Sequence, residues 1–104
     1  MKNIMLVCNA GMSTSMLVTK MSSAAKEKGI DADIWAVPVS EVDNEVGGKA
    51  IDAILVGPQV KFMLNEYKEK FEPDIKVADI NMVDYGTMNG ENVLNFALEM
   101  MGED

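Results

Sequence analysis

Four short apolar runs punctuate the chain, and between them apolar residues recur at helical spacing. Ile4-Met5-Leu6-Val7 is continuously apolar, as a strand buried on both faces requires. From Ser13 onward, Leu17, Met21, Ala24 and Ala25 fall on one helix face until Gly29 supplies a stop. Asp33-Ile34-Trp35-Ala36-Val37 reads as a second strand ended by Pro38, with Ser40 placed to cap a short helix from Glu41 to Glu45 that Gly47-Gly48 closes. A third strand, Ile51 to Val56, meets Gly57-Pro58-Gln59, after which Val60, Met63, Leu64, Tyr67 and Phe71 line one helix before Pro73. Residues Ile75 to Ile80 give the fourth strand, followed by a loop through Tyr85-Gly86 and a last helix carrying Val93, Leu94, Ala97, Leu98 and Met101.

Strands alternating with helices predict an α/β fold, a parallel sheet with right-handed crossovers and helices on both faces. The first and third strands are the more continuously apolar, whereas the second and fourth carry Asp33, Lys76 and Asp79, as edge strands do. That difference predicts an open four-stranded sheet of order 2-1-3-4. In such a sheet the connections after strands one and three leave in opposite directions and open a crevice beyond their carboxyl ends. The loops there begin at Cys8 and Gly57. With no linker or low-complexity segment, residues 1–104 are expected to form a single domain.

Composition narrows the chemistry. Nine Lys and no Arg face 17 acidic residues, a net charge of -8 that repels a phosphate backbone, so no nucleic-acid partner is expected. The acidity favours solubility over the alternative of a docking face for a basic partner. One Cys allows no internal disulfide, and the absence of His removes Ser-His-Asp triads, Cys-His pairs and His-ligated metal. No apolar run approaches the roughly 20 residues of a membrane span, so no direct membrane insertion is expected. The opening Met1-Lys2-Asn3-Ile4 runs straight into a strand without the features of a secretory signal, which makes the cytoplasm the expected location.

The stretch Cys8-Asn9-Ala10-Gly11-Met12-Ser13-Thr14-Ser15 sets a thiol at its start and hydroxyls at its end, between the first strand and the first helix. Gly11 permits backbone conformations that turn several N–H groups inward, and the positive end of the helix macrodipole attracts a phosphate or a thiolate. A thiolate is the nucleophilic form of cysteine, and a helix N-terminus is one place where it is stabilised. The plainer alternative is a small hydrophobe ending a buried strand beside an ordinary helix cap. Thiol, glycine and hydroxyls gathered at the switch point favour a nucleophile.

The spacing resembles the Cys-x5-Arg loop of low-molecular-weight tyrosine phosphatases, in which a phosphocysteine forms after the first strand of a parallel sheet. Here Thr14 stands at the Arg position. Without any Arg, the bidentate clamp for a hydrolytic transition state is missing. Such a phosphocysteine is expected to form and persist, which suits a carrier.

Cys8 followed by an amide residue, then Ala-Gly-Met-Ser-Thr-Ser and an apolar helix, resembles the IIB components of the lactose and cellobiose family of bacterial sugar phosphotransferase systems. The similarity extends over the whole chain and includes Gly57-Pro58-Gln59 and Tyr85-Gly86. The resemblance implies that Cys8 accepts phosphate from a phosphohistidine on a IIA protein and donates it to a sugar held by the membrane-embedded IIC protein, a transferase activity. It implies phosphate binding by Asn9, Ala10, Gly11, Met12, Ser13, Thr14 and Ser15, through backbone N–H groups and the three hydroxyls. It implies no cofactor and no metal, and a cytoplasmic protein that meets the inner face of the membrane transiently through IIC. Lactose, cellobiose and chitobiose systems share this pattern, so the sugar stays open.

Gly57, Pro58 and Gln59 read either as a second wall of the crevice or as a tight turn, while Asp84 and Tyr85 are placed to reach the same edge, with packing as the alternative for Tyr85 and no catalytic role assigned to either. Of ten Met residues, Met5, Met16, Met21, Met63 and Met101 read as core filler, while Met12, within the loop, is a candidate for partner contact. Trp35 reads as edge packing. A thiol-dependent phosphatase or arsenate reductase is the enzymatic alternative. A flavodoxin-like flavin or anion module is another, although it needs aromatic walls and the aromatics on helices fall largely on core-facing positions. A phospho-Asp receiver would need acidic residues where Cys8 and Gly57 stand.

Overall fold

The computed structural model describes residues 1–9 and 14–102. Its strands are β1 (Lys2–Cys8), β2 (Ala32–Pro38), β3 (Ala53–Val56) and β4 (Lys76–Asp79), all parallel in the order β2-β1-β3-β4. The predicted sheet order is the observed one. Between the strands lie α1 (Thr14–Glu27), a 3-10 turn (Val39–Glu41), α2 (Val42–Gly48), a second 3-10 stretch (Pro58–Met63) and α3 (Leu64–Phe71). The helices α4 (Met82–Gly86) and α5 (Gly90–Met100) follow β4.

Alternation along β1 divides the core. Ile4 and Leu6 face a layer with Leu17, Met21 and Ala25 of α1, Tyr85 of α4, and Val93, Leu94 and Ala97 of α5. Met5 and Val7 face the opposite layer with Val42 of α2 and Tyr67 and Phe71 of α3. The four residues Ile4 to Val7 are fully buried, as their unbroken apolarity predicts. Gly29, at φ +71°, ends α1: the Ile30 N–H donates back to the Ala25 carbonyl at 2.8 Å, a turn that a side chain would strain.

Several local expectations are corrected. Ser40 caps nothing; it sits inside the 3-10 turn, and neither that turn nor α2 has a side-chain cap. The helix expected from Val60 is split, because Val60 at φ -121°, ψ 23° breaks the helical path and α3 starts only at Leu64. Phe62, which does not belong to that stripe, is 77% exposed. Phe96 and Met16 are exposed as well, so neither is core filler. The supposed loop through Tyr85-Gly86 contains α4, whose N-cap Asn81 accepts from the Val83 and Asp84 N–H groups at 2.9 and 3.1 Å. Trp35 does pack at the sheet edge, donating to Glu45 at 2.9 Å beneath the Lys49 ammonium. No helix of the described residues is long and apolar enough to cross a membrane.

Candidate functional site

Cys8 is the last residue of the central strand β1, in register with Pro38 of β2. Its neighbour Val7 is paired on both sides, with Val37 in β2 and Val56 in β3. Beyond the last rung, the Gly57 N–H donates to the Val7 carbonyl at 2.8 Å. A β-carbon on Gly57 would stand 3.1 Å from that same oxygen, so the turn after β3 lies against the base of the Cys8 loop. Gly57 therefore forms a tight turn closed against the end of β1. Helix α1 leaves β1 over one face and α3 leaves β3 over the other, the arrangement that opens a cleft between their starting points.

The Cys8 side chain is 9% exposed, and its Sγ–H donates weakly to the Val37 carbonyl at 3.7 Å. That contact exists only for the protonated thiol; attack on an electrophile releases the sulfur from it. Asn9 is exposed. Ala10, Gly11, Met12 and Ser13 lie outside the described residues. Thr14 is the first residue of α1, and the opening N–H groups of a helix have no carbonyl partner within it. Ser15 is exposed, and its carbonyl accepts from the Thr19 hydroxyl at 3.0 Å.

Thr14 is 1% exposed, the one buried side chain among the described residues that is neither aliphatic, aromatic nor sulfur-bearing. Its Oγ1 lies 3.0 Å from the Tyr85 hydroxyl, a hydrogen bond in which either oxygen can donate. Nothing in residue spacing couples positions 71 apart, and from the sequence Tyr85 read either as reaching the crevice edge or as packing. Packing is half of its role: the ring is buried against the α1 and α5 layer while the hydroxyl reaches the start of α1. Asp84 points to another partner, accepting from Asn92 at 3.2 Å.

Beyond β4 a cavity of about 300 Å³ is lined by Asp79, Asn81, Asp84 and Phe96, with Ile80 and Val93 at its base; Cys8 is not part of it. Lys61 pairs with Asp79 at 3.6 Å across the same edge of the sheet. Among the described residues no cluster of His, Cys, Asp or Glu is arranged to hold a metal ion.

Relatives of known type share this architecture. The chain is 41% identical over 102 residues to the oligo-beta-mannoside-specific EIIB component of Bacillus subtilis, covering 97% of each chain. It is 44% identical over 104 residues to the galactose-specific EIIB component of Lactococcus lactis subsp. cremoris, covering 96% of each. Among solved structures, the cellobiose-specific phosphotransferase IIB component of Borrelia burgdorferi superposes with a TM-score of 0.77 at 42% identity, over 97% of this chain and 92% of that one. The lactose-specific IIB component domain of Streptococcus pneumoniae superposes with a TM-score of 0.83 over 95% and 96%; at 18% identity this likeness concerns the fold alone. The family model "PTS system, Lactose/Cellobiose specific IIB subunit" matches residues 3–96. With a matching fold, full-length relatives above 40% identity and a family match across nearly its whole length, the chain belongs to the lactose/cellobiose-specific IIB subunits, the sugar-specific phosphotransferase components of the phosphotransferase system.

Proposed function

We propose that Cys8 is the phosphoryl carrier. The observation that carries this reading is the position of the sole thiol of a IIB-family chain: the carboxyl end of the central strand, at the switch point, in the connection that leads to the start of α1. The sulfur attacks the phosphorus of a phosphohistidine on a IIA protein. The S–P bond forms, the P–N bond breaks, and the thiol proton passes to the departing imidazole. In the second step a hydroxyl of the sugar held by the membrane protein IIC attacks the same phosphorus. The S–P bond breaks, and the hydroxyl proton returns to sulfur. The chain thus works at the inner face of the membrane without entering it.

Residues 9–15 cradle the phosphate in this reading, Ser13 and Ser15 with hydroxyls as well as backbone and Thr14 through its backbone, since its enclosed hydroxyl is engaged by Tyr85. The N–H groups at the head of α1 favour the added negative charge. No guanidinium is available to stabilise attack by water, so the phosphorylated form outlasts the interval between partners. Partner docking is supported by the apolar residues exposed along the same edge: Met16 at the start of α1, Phe62 after β3, and Met82 and Val83 after β4. The relatives' names point to different sugars, an oligo-beta-mannoside, galactose and cellobiose, and so assign none to this chain.

The test is intact-mass measurement after incubation with phosphoenolpyruvate, the general phosphotransferase proteins and a IIA protein of the cellobiose type. One added phosphate is expected on the wild type and none on Cys8→Ser. A phosphate retained by Cys8→Ser moves the site elsewhere and removes the mechanism.

A further inference from the structure

We infer that Tyr85 is a positioning residue for phosphoryl transfer: through its hydrogen bond to Thr14 it fixes the first turn of α1 relative to Cys8. The inference rests on the carrier reading above and assigns a task to a residue outside the phosphate loop.

The first turn of a helix is its least constrained part, since its N–H groups lack intrahelical acceptors. Here those groups face the work of holding a phosphate, and their value depends on where they stand, because preorganised dipoles contribute most when no reorganisation is needed. Thr14 is enclosed, so no water competes for its hydroxyl, and Tyr85 is the partner that satisfies it.

Tyr85 is itself fixed to the sheet. The Ile80 N–H donates to the Val56 carbonyl at 2.8 Å, extending the ladder past β4. Asn81 then caps α4 with its side chain and accepts the Tyr85 N–H on its carbonyl at 2.9 Å. From the far side, the Asn89 N–H donates to the Asp84 carbonyl at 2.8 Å, tying α4 to the start of α5. Tyr85 is thus a strut from the end of the edge strand to the tip of α1, and Thr14 is its point of contact.

Tyr85→Phe, Thr14→Val and Thr14→Ser, alone and with Tyr85→Phe/Thr14→Val, would be assayed with a phosphorylated IIA protein of the cellobiose type, alongside thermal unfolding. Tyr85→Phe and Thr14→Val are each expected to lower kcat for phosphate uptake by about tenfold or more while KM stays within about twofold, the mark of lost transition-state geometry. Thr14→Ser, which keeps the hydroxyl, is expected near the wild-type rate, and the double variant no slower than either single one. Wild-type kcat in Tyr85→Phe, a change confined to KM, or Thr14→Ser as slow as Thr14→Val would each overturn the positioning role. Should Tyr85→Phe fail to fold, the Thr14 pair decides alone. If the wild type itself takes up no phosphate, the carrier reading fails and the positioning role with it; uptake by the wild type with an unimpaired Tyr85→Phe removes only the latter.

Discussion

The α-carbon of Gly90 rests against the backbone of Met21: a β-carbon at position 90 would stand 2.6 Å from the Met21 nitrogen and 2.6 Å from the Lys20 carbonyl carbon. Because the obstacle is main chain, no side-chain rotation relieves it. Gly90→Ala is therefore expected to push α5 off α1 and to cost about 1–3 kcal/mol of stability, the usual penalty of overpacking. Urea unfolding of the two proteins measures it.

Asn81 closes the amino end of α4 with two hydrogen bonds. Replacing it by Ala is expected to cost about 1 kcal/mol in denaturant unfolding, the typical value of a lost helix cap. Because α4 carries Tyr85, the same variant should slow phosphate uptake more than its stability loss explains, which parallel kinetics would register.

Tyr67 carries the one buried side-chain oxygen or nitrogen without a hydrogen-bond partner among the described residues. Tyr67→Phe is expected to raise stability, by up to about 1 kcal/mol, since an unsatisfied hydroxyl is a cost of folding. Burial, with smaller contributions from the Glu66 and Asp43 carboxylates, raises the Tyr67 phenol above its usual 10.0. The folded chain then keeps its proton where the unfolded chain has lost it. Stability is unaffected below pH 10, falls as pH climbs beyond it, and levels once the folded phenol titrates. Unfolding followed from pH 9 upward, in the range set by that phenol, should show a shallower decline for Tyr67→Phe.

A chain without guanidinium groups should be a poor phosphatase. Turnover of p-nitrophenyl phosphate is expected not to exceed that of Cys8→Ser, and the phosphorylated protein should survive buffer exchange before its mass is read. Sustained turnover by the wild type would favour the phosphatase alternative.

Phe62 projects from the 3-10 stretch after β3. Phe62→Ser is expected to raise KM for a phosphorylated IIA protein by about tenfold, the scale of an interface hot spot, with kcat nearly unchanged. This pattern is the reverse of that expected for Tyr85→Phe, so steady-state kinetics separates docking from geometry.

Sheet order was legible because buried strands betray themselves: Ile4 to Val7 and Ala53 to Val56 have no polar residue to place in water, while Asp33 and Lys76 demand an edge. The place of Cys8 at the end of β1 was legible because the apolar run that precedes it stops there. Val60 was misleading, since an apolar residue at helical spacing fits the stripe whether or not its own dihedrals are helical. Helix α4 was too short, at five residues, for any period to emerge, although Asn81 is a capping residue type. The Thr14–Tyr85 bond left no trace in either pattern. It joins two residues whose proximity arises only after α1 and α4 have both packed on one face of the sheet.

Two macromolecules must in turn find one sulfur atom at the same coordinates. With Val7 laddered on both flanks and its carbonyl pinned by Gly57, the backbone that bears the thiol behaves as an anvil. Recoil on loading and release is left to torsion about the Cys8 side chain and its departure from the Val37 carbonyl. Delivery should then be paced by the encounter of the proteins and never by rearrangement of the sheet.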